Sequence, residues 1–384
     1  MIKAFLKYGL LIVLSVGLTA LYFSTSYVAR DSAIVFQTVQ PLTSVTDRRG
    51  NQERVPISIT QALKTGQLVE ISAPAGEIHI QKLTSNSYWI LNTPSYSMTL
   101  YVGEKECLLV DAPASLFVDR LLEKIEAITP NPVTTLVYTH PHFDHVGGAA
   151  NLHRSLEKRG IVPRVIASDR FVLESRKYQQ PVPQPTEVLP TPRASFSFDN
   201  KDFKLVTPVE WGHTGADSYI LFPDNVITFV DFVQAEGFLP LTDVSGVQNM
   251  RGYINFLRHV MGEDWDYANV GHINVGSKQD VARTLEYFED LYEAWFEVIV
   301  DNFEAWRSLR AKPQGEHVGV LLRNFFDQMA TETVLKVQNK WGDQPHFELA
   351  RDHALKVMWD GYLNYDFMNH PEIRPDFTPI QPPE

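Results

Sequence analysis

Apolar and polar positions alternate in short runs along the first two thirds of the chain, which is typical of β-strands. Between these runs, apolar residues recur at helical spacing in LFVDRLLEKIEAI, GGAANLHRSLEKRG and YINFLRHVM. The predicted strands are, in order, EIHIQKL, SYWILNT, MTLYVG, ECLLVDAP, TTLVYTH, RVIASD, FKLVTPVEW, SYILFP, NVITFVDF and YANVGH. Hairpins followed by alternating strands and helices predict an α/β protein whose sheets are covered by helices.

The last hundred residues follow a different pattern. Three aromatic-rich segments with helical spacing succeed one another there: EAWFEVIVDNFEAWRSLR, HVGVLLRNFFDQMATETVLKVQNKW and HFELARDHALKVMWDGYL. We assign residues 301–384 to an α-helical C-terminal extension, which packs on the main domain or on a second copy of the chain in a homo-oligomer. The proline-rich residues 179–192 are expected to form a surface loop and are a candidate rim or lid.

The N-terminus carries a targeting signal. Lys3 and Lys7 precede residues 8–29, which contain no charged side chain. This length lies between a signal peptide and a full bilayer span, so residues 1–30 are a signal peptide or an N-terminal membrane anchor. Residues 31–70 are polar and turn-rich and are expected to be a linker. Both alternatives place the protein outside the cytoplasm, in the periplasm or anchored in the inner membrane and facing the periplasm.

The composition is that of a globular protein, with 384 residues of which 44% are hydrophobic. The net charge is -12 and the sequence contains no basic run that could neutralise phosphates, so nucleic acid is excluded as a partner. Cys107 is the only cysteine, which excludes an intrachain disulfide and a thiolate cluster around a metal.

The chemistry is concentrated in residues 139–148, THPHFDHVGG, directly after a predicted strand and before a predicted helix. His140 and His142 are spaced to point the same way, and Asp144 and His145 follow on the turn. Imidazole and carboxylate are ligands suited to zinc, and this set is too rich in nitrogen for calcium or magnesium. The sequence therefore predicts a metal site at the end of this strand.

The H-x-H-x-D-H motif resembles the signature of the metallo-β-lactamase fold superfamily. The resemblance extends over roughly residues 70–300, because LLVDAP, EWGHTGADSYI, VITFVDF and VGHINVG match further motifs of that superfamily in order and approximate spacing. It implies a four-layer αββα sandwich over residues 71–300, as the catalytic domain, with the C-terminal helices added to it.

The resemblance also implies two metal ions, expected to be Zn²⁺, although imidazole suits iron as well and manganese stays open. The implied ligands of the first ion are His140, His142 and His213. Those of the second are Asp144, His145 and His272, with Asp231 bridging both ions. Asp111, at the end of LLVDAP, is expected to hold the loop and a ligand imidazole in orientation.

Two such ions share a water molecule and lower its pKa toward about 7, so that hydroxide is available as the nucleophile. The sequence therefore predicts a hydrolase of small molecules, which attacks an ester, a lactone or a related carbonyl group while Asp144 orients the water or accepts its proton. A β-lactamase and a glyoxalase II-like thioesterase remain alternatives within the superfamily. Alternatives of another class are an iron-dependent oxidoreductase similar to sulfur dioxygenases and an inactive binding module.

Three aromatic residues close to the proposed ligands, Phe143, Trp211 and Phe238, are candidates for the substrate pocket. The position of Cys107, far upstream of the motifs, excludes the β-lactamases that use a cysteine ligand.

Overall fold

The computed structural model describes residues 43–46, 52–55, 78–92, 96–114, 116–235, 239–240, 244, 246–272, 274–311, 318–365 and 377. Residues 1–30 and Phe238 lie outside these ranges, so export and membrane anchoring stay predictions. Within the predicted linker, β1 (Thr43–Thr46) and β2 (Gln52–Val55) pair as an antiparallel hairpin. Among the described residues, no helix is both long and apolar enough to cross a membrane.

Two sheets form the centre of the fold. The first contains β3 (Ile78–Lys82), β4 (Ser87–Asn92), β5 (Tyr96–Val102), β6 (Cys107–Val110), β7 (Val133–Val137), β8 (Arg164–Ser168) and β9 (Glu187–Leu189). Its strands lie side by side in chain order, antiparallel from β3 to β6 and parallel from β6 to β9. The prediction that residues 179–192 form only a loop was wrong at β9, because these three residues pair with β8 and extend the sheet.

The second sheet contains β10 (Arg193–Phe198), β11 (Lys201–Val206), β12 (Tyr219–Leu221), β13 (Val226–Thr228), β14 (Tyr267–Asn269) and β15 (Val275–Gly276). Its strands also follow chain order, and only β13 and β14 are parallel. A parallel pair needs a crossover connection, and here α5 supplies it. The described helices are α1 (Val118–Glu126), α2 (Phe143–Val146), α3 (Ala149–Lys158), α4 (Asp169–Lys177), α5 (Met250–Gly262), α6 (Lys278–Asp301), α7 (Phe303–Arg310), α8 (Val318–Trp341) and α9 (Ala350–Asn364).

The side chains of β4 show how the layers are built. Trp89 and Leu91 point to one face of the first sheet and belong to a core that also contains Phe203 and Ile220 of the second sheet. Ile90, between them, points to the other face and belongs to a core shared with α1 and α3. Because side chains alternate along a strand, one apolar strand can serve both cores.

The outer face of the second sheet is covered by α5, α6, α8 and α9, which share one apolar core with it. Ile227 and Phe229 from the sheet region lie in the same core as Trp295 of α6, Met329 of α8 and Met358 of α9. The order of layers is therefore helix, sheet, sheet, helix, which confirms the predicted four-layer αββα architecture with added C-terminal helices. The domain boundaries at 70 and 300 stay predictions, as does pairing of two copies through the C-terminal helices.

Candidate metal centre

Four loops bring the predicted site residues together, and each begins where a strand or turn of the two sheets ends. His140 to His145 follow β7 and continue into α2. His213 lies in the turn between β11 and β12, Asp231 follows β13, and His272 follows β14. The amide of Asp231 donates a hydrogen bond to the carbonyl of Val270 at 3.2 Å, which ties the loops after the parallel strands β13 and β14 together.

Asp231 lies at the centre of the site, with one carboxylate oxygen on each side. Its Oδ2 is 3.1 Å from Nε2 of His213 and 3.3 Å from Nε2 of His140. Its Oδ1 is 2.8 Å from Nε2 of His272 and 3.0 Å from Nε2 of His145. A carboxylate that divides its two oxygens between two sets of imidazoles has the geometry of a bridging ligand.

The donor atoms form two groups, in each of which all atoms lie within 4.8 Å of one another. The first group consists of His140, His142, His213 and Asp231; the second consists of Asp144, His145, His272 and Asp231. In the first group, Nδ1 of His142 is 2.9 Å from Nε2 of His213. In the second, Oδ2 of Asp144 is 3.5 Å from Nε2 of His145 and 3.9 Å from Nε2 of His272. These groups coincide with the two ligand sets that the resemblance implied.

Several of these atoms are buried without a hydrogen bond in the described part of the chain. They are Nε2 of His140, Nε2 and Nδ1 of His145, and Oδ1 of Asp231. Burying polar atoms without partners costs free energy, so an arrangement of this kind needs a compensating ligand. Divalent metal ions fit, because the unpartnered Nε2 and Oδ1 atoms are lone-pair donors that converge from different loops.

Burial and charge act against each other on the pKa values of the site. Burial alone would lower the pKa of His145, but the carboxylates of Asp231 and Asp144 outweigh it and raise this pKa to about 9. Burial would raise the pKa of Asp231, but the imidazoles of His145 and His272 hold it well below its usual range. For His140 burial prevails and lowers the pKa well below its ordinary value.

The backbone around His213 is held by Asp217, a residue that the sequence analysis missed. The buried carboxylate of Asp217 accepts hydrogen bonds from the amides of Gly212, His213 and Thr214 at 2.8 to 3.0 Å, and from the hydroxyl of Thr214 at 2.6 Å. This carboxylate fixes the turn that presents the imidazole. Its signal in the sequence is an aspartate four residues after the histidine, which can cap a tight turn.

The loop that carries His272 is positioned from the opposite sheet, which the sequence analysis also missed. The hydroxyl of Ser97 on β5 donates to Oδ1 of Asn269 on β14 at 2.6 Å, and the same oxygen accepts from the amide of Gly271 at 3.1 Å. The ring of Tyr96 lies 5.5 Å from that of His272. Gly271 has φ of 93°, and a Cβ at this position would come within 3.0 Å of Cε1 of His145.

Asp111 is buried at the end of β6 and does not belong to either donor group. Its carboxylate accepts hydrogen bonds from the amide and the hydroxyl of Thr139, at 2.9 and 2.8 Å, immediately before His140. Burial raises the pKa of Asp111 to about 7, despite the opposing effects of His145 and of the Thr139 hydrogen bonds. Both Asp111 and Asp231 have positive φ, 64° and 69°, a conformation that aspartate tolerates better than most residues.

Two of the three predicted pocket residues can be located. The side chains of Phe143 and Trp211 are 58% and 45% exposed, although both are large and apolar. Each lies within two residues of a donor group, Phe143 on the first turn of α2 and Trp211 before His213.

Similarity to known proteins was found at the level of the family and of single relatives. Residues 92–238 match the family model of the metallo-beta-lactamase superfamily. Over 210 residues the chain is 24% identical to the 2,4-dinitroanisole O-demethylase subunit alpha of Nocardioides sp. (strain JS1661). That match covers 53% of this chain and 61% of the relative, so the chain spans less than two thirds of the length of that protein.

Among solved structures, the metallo-beta-lactamase from Pontibacter korlensis is 16% identical, with a TM-score of 0.45 and coverage of 55% of this chain and 98% of that one. The DIM-1 metallo-beta-lactamase is also 16% identical, with a TM-score of 0.45 and coverage of 55% and 96%. The family match includes the H-x-H-x-D-H loop, His213 and Asp231. It confirms the predicted resemblance to the metallo-beta-lactamase superfamily over residues 92–238.

Proposed function

We propose that this protein is a hydrolase that binds two divalent metal ions, with zinc as the expected metal, and cleaves an ester, a lactone or a related carbonyl compound. The observation that carries the proposal is the position of Asp231, which offers one oxygen to the His140 and His213 side and the other to the His145 and His272 side. A single carboxylate between two donor groups favours a dinuclear site over a mononuclear one.

Two divalent ions in these groups would supply a water molecule of lowered pKa and polarise a carbonyl oxygen. His140, His142 and His213 would hold the first ion, and Asp144, His145 and His272 would hold the second. The Asp144 side chain is 35% exposed, so it is the carboxylate of the site that a substrate and its attacking water can reach. Its role is to orient that water and to accept its proton.

The donor set favours zinc because it contains five imidazoles, two carboxylates and no thiolate. Imidazole also binds iron and manganese, so the ligand types alone do not determine the identity of the metal, which has to be measured. Elemental analysis of the protein, purified without added metal, should give about two zinc ions per chain. Two iron ions, together with consumption of oxygen on a thiol substrate, would support the oxidoreductase alternative instead.

A second candidate reaction comes from the relative named as a 2,4-dinitroanisole O-demethylase subunit. Cleavage of an activated aryl methyl ether by water would use the same nucleophile and would release a phenolate in place of a carboxylate. The candidate is weaker than the ester hydrolase because the identity is 24% and the match covers 61% of that relative.

One substrate panel tests these alternatives. It contains an aryl acetate, a lactone, an acyl thioester, a cephalosporin and 2,4-dinitroanisole, each assayed with the metal-loaded protein and with Asp231→Asn. We expect hydrolysis of the aryl acetate or the lactone by the wild type and a loss of at least about 100-fold in the variant. Preference for the cephalosporin, the thioester or the ether would assign the corresponding alternative. Turnover of none of them, with both metals bound, would contradict the hydrolase and favour a binding module.

A further inference from the structure

The distribution of positive charge along the chain is uneven. The sequence contains 34 lysines and arginines, yet none lies in residues 83–104, 106–119, 125–153, 178–192, 205–250 or 259–277. The longest of these stretches, residues 205–250, includes His213, Asp231 and Trp211. All seven proposed metal ligands lie in stretches without a lysine or an arginine.

The first three stretches contact loops that carry the proposed ligands or contain ligands themselves. In residues 83–104, the amide of Ser97 donates to the carbonyl of Gly271 at 2.8 Å, next to His272. In residues 106–119, the amide of Ala112 donates to the carbonyl of His145 at 2.8 Å. The third stretch, residues 125–153, contains His140 to His145 itself.

The other three stretches also lie next to proposed ligands or contain them. In residues 178–192, the amide group of Gln180 donates a hydrogen bond to the carbonyl of Pro141, between His140 and His142. In residues 205–250, a Cβ added to Gly246 would lie 2.9 Å from Cε1 of His213. Residues 259–277 contain His272. The described segments that contact the site or supply its ligands are therefore stretches that carry no cationic side chain.

Two arginines from neighbouring helices approach the loop that carries His213, and both are engaged there. Nε of Arg251 lies 2.7 Å from Oε1 of Glu210. Arg170 donates from Nη1 to the carbonyl of Val209 at 3.0 Å. Their hydrogen bonds are used to hold the loop, so neither is a preformed partner for a substrate.

Three aromatic residues are candidates for contact with a ligand. Phe143 and Trp211 are 58% and 45% exposed, and each lies within two residues of a donor residue in the sequence. Tyr96 places its ring 5.5 Å from that of His272 and 6.4 Å from that of His145. Exposed aromatic rings that flank a polar centre are suited to stacking on an apolar or aromatic group of a ligand.

We propose that the substrate is uncharged around its scissile bond and carries an aromatic or apolar group that packs on Phe143 and Trp211. This inference rests on the proposed hydrolase function and names its substrate class. A carboxylate or phosphate group on a substrate is normally held by arginine or lysine, and one that is desolvated without such a partner costs free energy. Apart from the metal ions themselves, the described walls offer an anionic group no cationic side chain, so we expect carboxylate-bearing lactams and phosphate esters to be poorer substrates than uncharged ones.

A matched pair of substrates tests the inference. The esters 3-carbamoylphenyl acetate and 3-carboxyphenyl acetate differ at one ring position in charge, and each enzymatic rate is divided by the rate of alkaline hydrolysis of the same ester. After this correction we expect kcat/KM to be at least about 30-fold higher for the uncharged ester. Equal or better hydrolysis of the carboxylate ester would overturn the substrate class alone. Hydrolysis of neither ester, nor of any member of the panel, would overturn the hydrolase and the substrate class together.

A positive charge introduced at Trp211 provides an independent test. Trp211→Arg places a cation beside the site, and Trp211→Leu is the control that removes the ring without adding charge. We expect the arginine variant to shift the corrected ratio toward the carboxylate ester by at least about tenfold, while the leucine variant lowers kcat/KM for both esters and leaves the ratio unchanged. A ratio that does not change in the arginine variant would overturn the inference. Because Trp211 is 45% exposed, neither substitution disturbs the core.

Discussion

The two donor groups share Asp231 but differ in composition and in access to solvent. Besides Asp231, the first group consists of three imidazoles, and the side chains of His140 and His213 are only 2% and 12% exposed. Besides Asp231, the second group contains two imidazoles and the carboxylate of Asp144, which is 35% exposed. A group of imidazoles enclosed by protein is expected to hold its ion more firmly than a group with one solvent-exposed carboxylate. The second ion should therefore be the exchangeable one.

Protonation differs between the groups as well. Burial lowers the pKa of His140 and of His142, so these imidazoles are neutral and ready to bind a metal at pH 7. In the second group the carboxylates raise the pKa of His145 to about 9, against the effect of burial. A proton at His145 therefore competes with the second ion, whereas in the first group only His213 has a raised pKa.

The largest expected effect is the loss of the first ion. His142→Ala removes one of three imidazoles, so we expect loss of that ion and a decrease in kcat/KM of at least about 1,000-fold. The apolar cores do not include this residue, so the circular dichroism spectrum should not change. His153→Ala, on a partly exposed helical face, is the control with unchanged activity. Full metal content and near wild-type turnover in His142→Ala would show that this ligand is wrongly assigned.

A smaller effect is expected from Asp144→Asn. The variant keeps the shape of the side chain but weakens the second group, so metal content should fall from two ions to one and kcat/KM by about 100-fold. Mass spectrometry of the native protein measures the stoichiometry directly. The proposed order of affinity would be reversed if the single remaining ion lay in the second group. In that case, adding His142→Ala to Asp144→Asn would cause no further loss of metal.

Much of this site could be predicted from the sequence because its signals are local. His140 to His145 lie within six residues after an apolar run, and the match of four further motifs identified Asp111, His213, Asp231 and His272. Ten of the thirteen strands in the two sheets were also predicted from their alternating or continuously apolar pattern, whereas β9, β10 and β15 were missed. Helix α6 begins at Lys278, well before the predicted segment, and the capping box of Ser277 and Asp280 is the overlooked signal.

The contacts that position the ligands could not be predicted, because they join residues far apart in the chain. Ser97 and Asn269 are separated by 172 positions, and their hydrogen bond exists only once the two sheets have packed. Neither residue type is distinctive by itself. The same holds for Tyr96, whose neighbour His272 lies on a different sheet. Asp217 is a partial exception, since it is close to His213 in sequence and could have been recognised as a turn cap.

Asp217 is expected to contribute to the first ion through the backbone. Asp217→Asn keeps one acceptor oxygen but cannot accept all four hydrogen bonds, so the His213 turn should loosen and affinity for the first ion should fall by about 10- to 100-fold. The matched control is Asp280→Asn, which weakens a buried capping carboxylate away from the site. A role limited to folding would lower the melting temperature in both variants and leave the affinity of the metal-loaded site unchanged. Competition with a fluorescent zinc chelator measures the affinity.

The smallest expected effect, at about tenfold per pH unit, is the dependence of the second ion's affinity on pH. With its pKa raised to about 9, His145 is protonated at pH 7 in the metal-free chain, and the ion must displace that proton. Affinity for the second ion should therefore rise by about tenfold per pH unit between pH 7 and 9 and level off above. Since the pKa is raised in the fold, the charged imidazole stabilises the metal-free chain fully below its ordinary value of 6.5, and this stabilisation is lost as the pH rises through about 9.

Proton release during metal titration in a weakly buffered indicator solution checks this prediction, because binding of the second ion at pH 7.5 should release about one proton from His145, in addition to any that the shared water gives up. The first ion serves as the internal reference. In the first group, burial lowers the pKa of His140 and of His142. Only the pKa of His213 is raised there, because Asp231 outweighs the effect of burial. His145→Gln should lower the release that accompanies the second ion by about one proton and leave the proton that the shared water gives up. Equal affinity for the second ion at pH 7 and pH 9 would mean that protonation does not distinguish the two groups, and solvent access of Asp144 alone would then account for their difference.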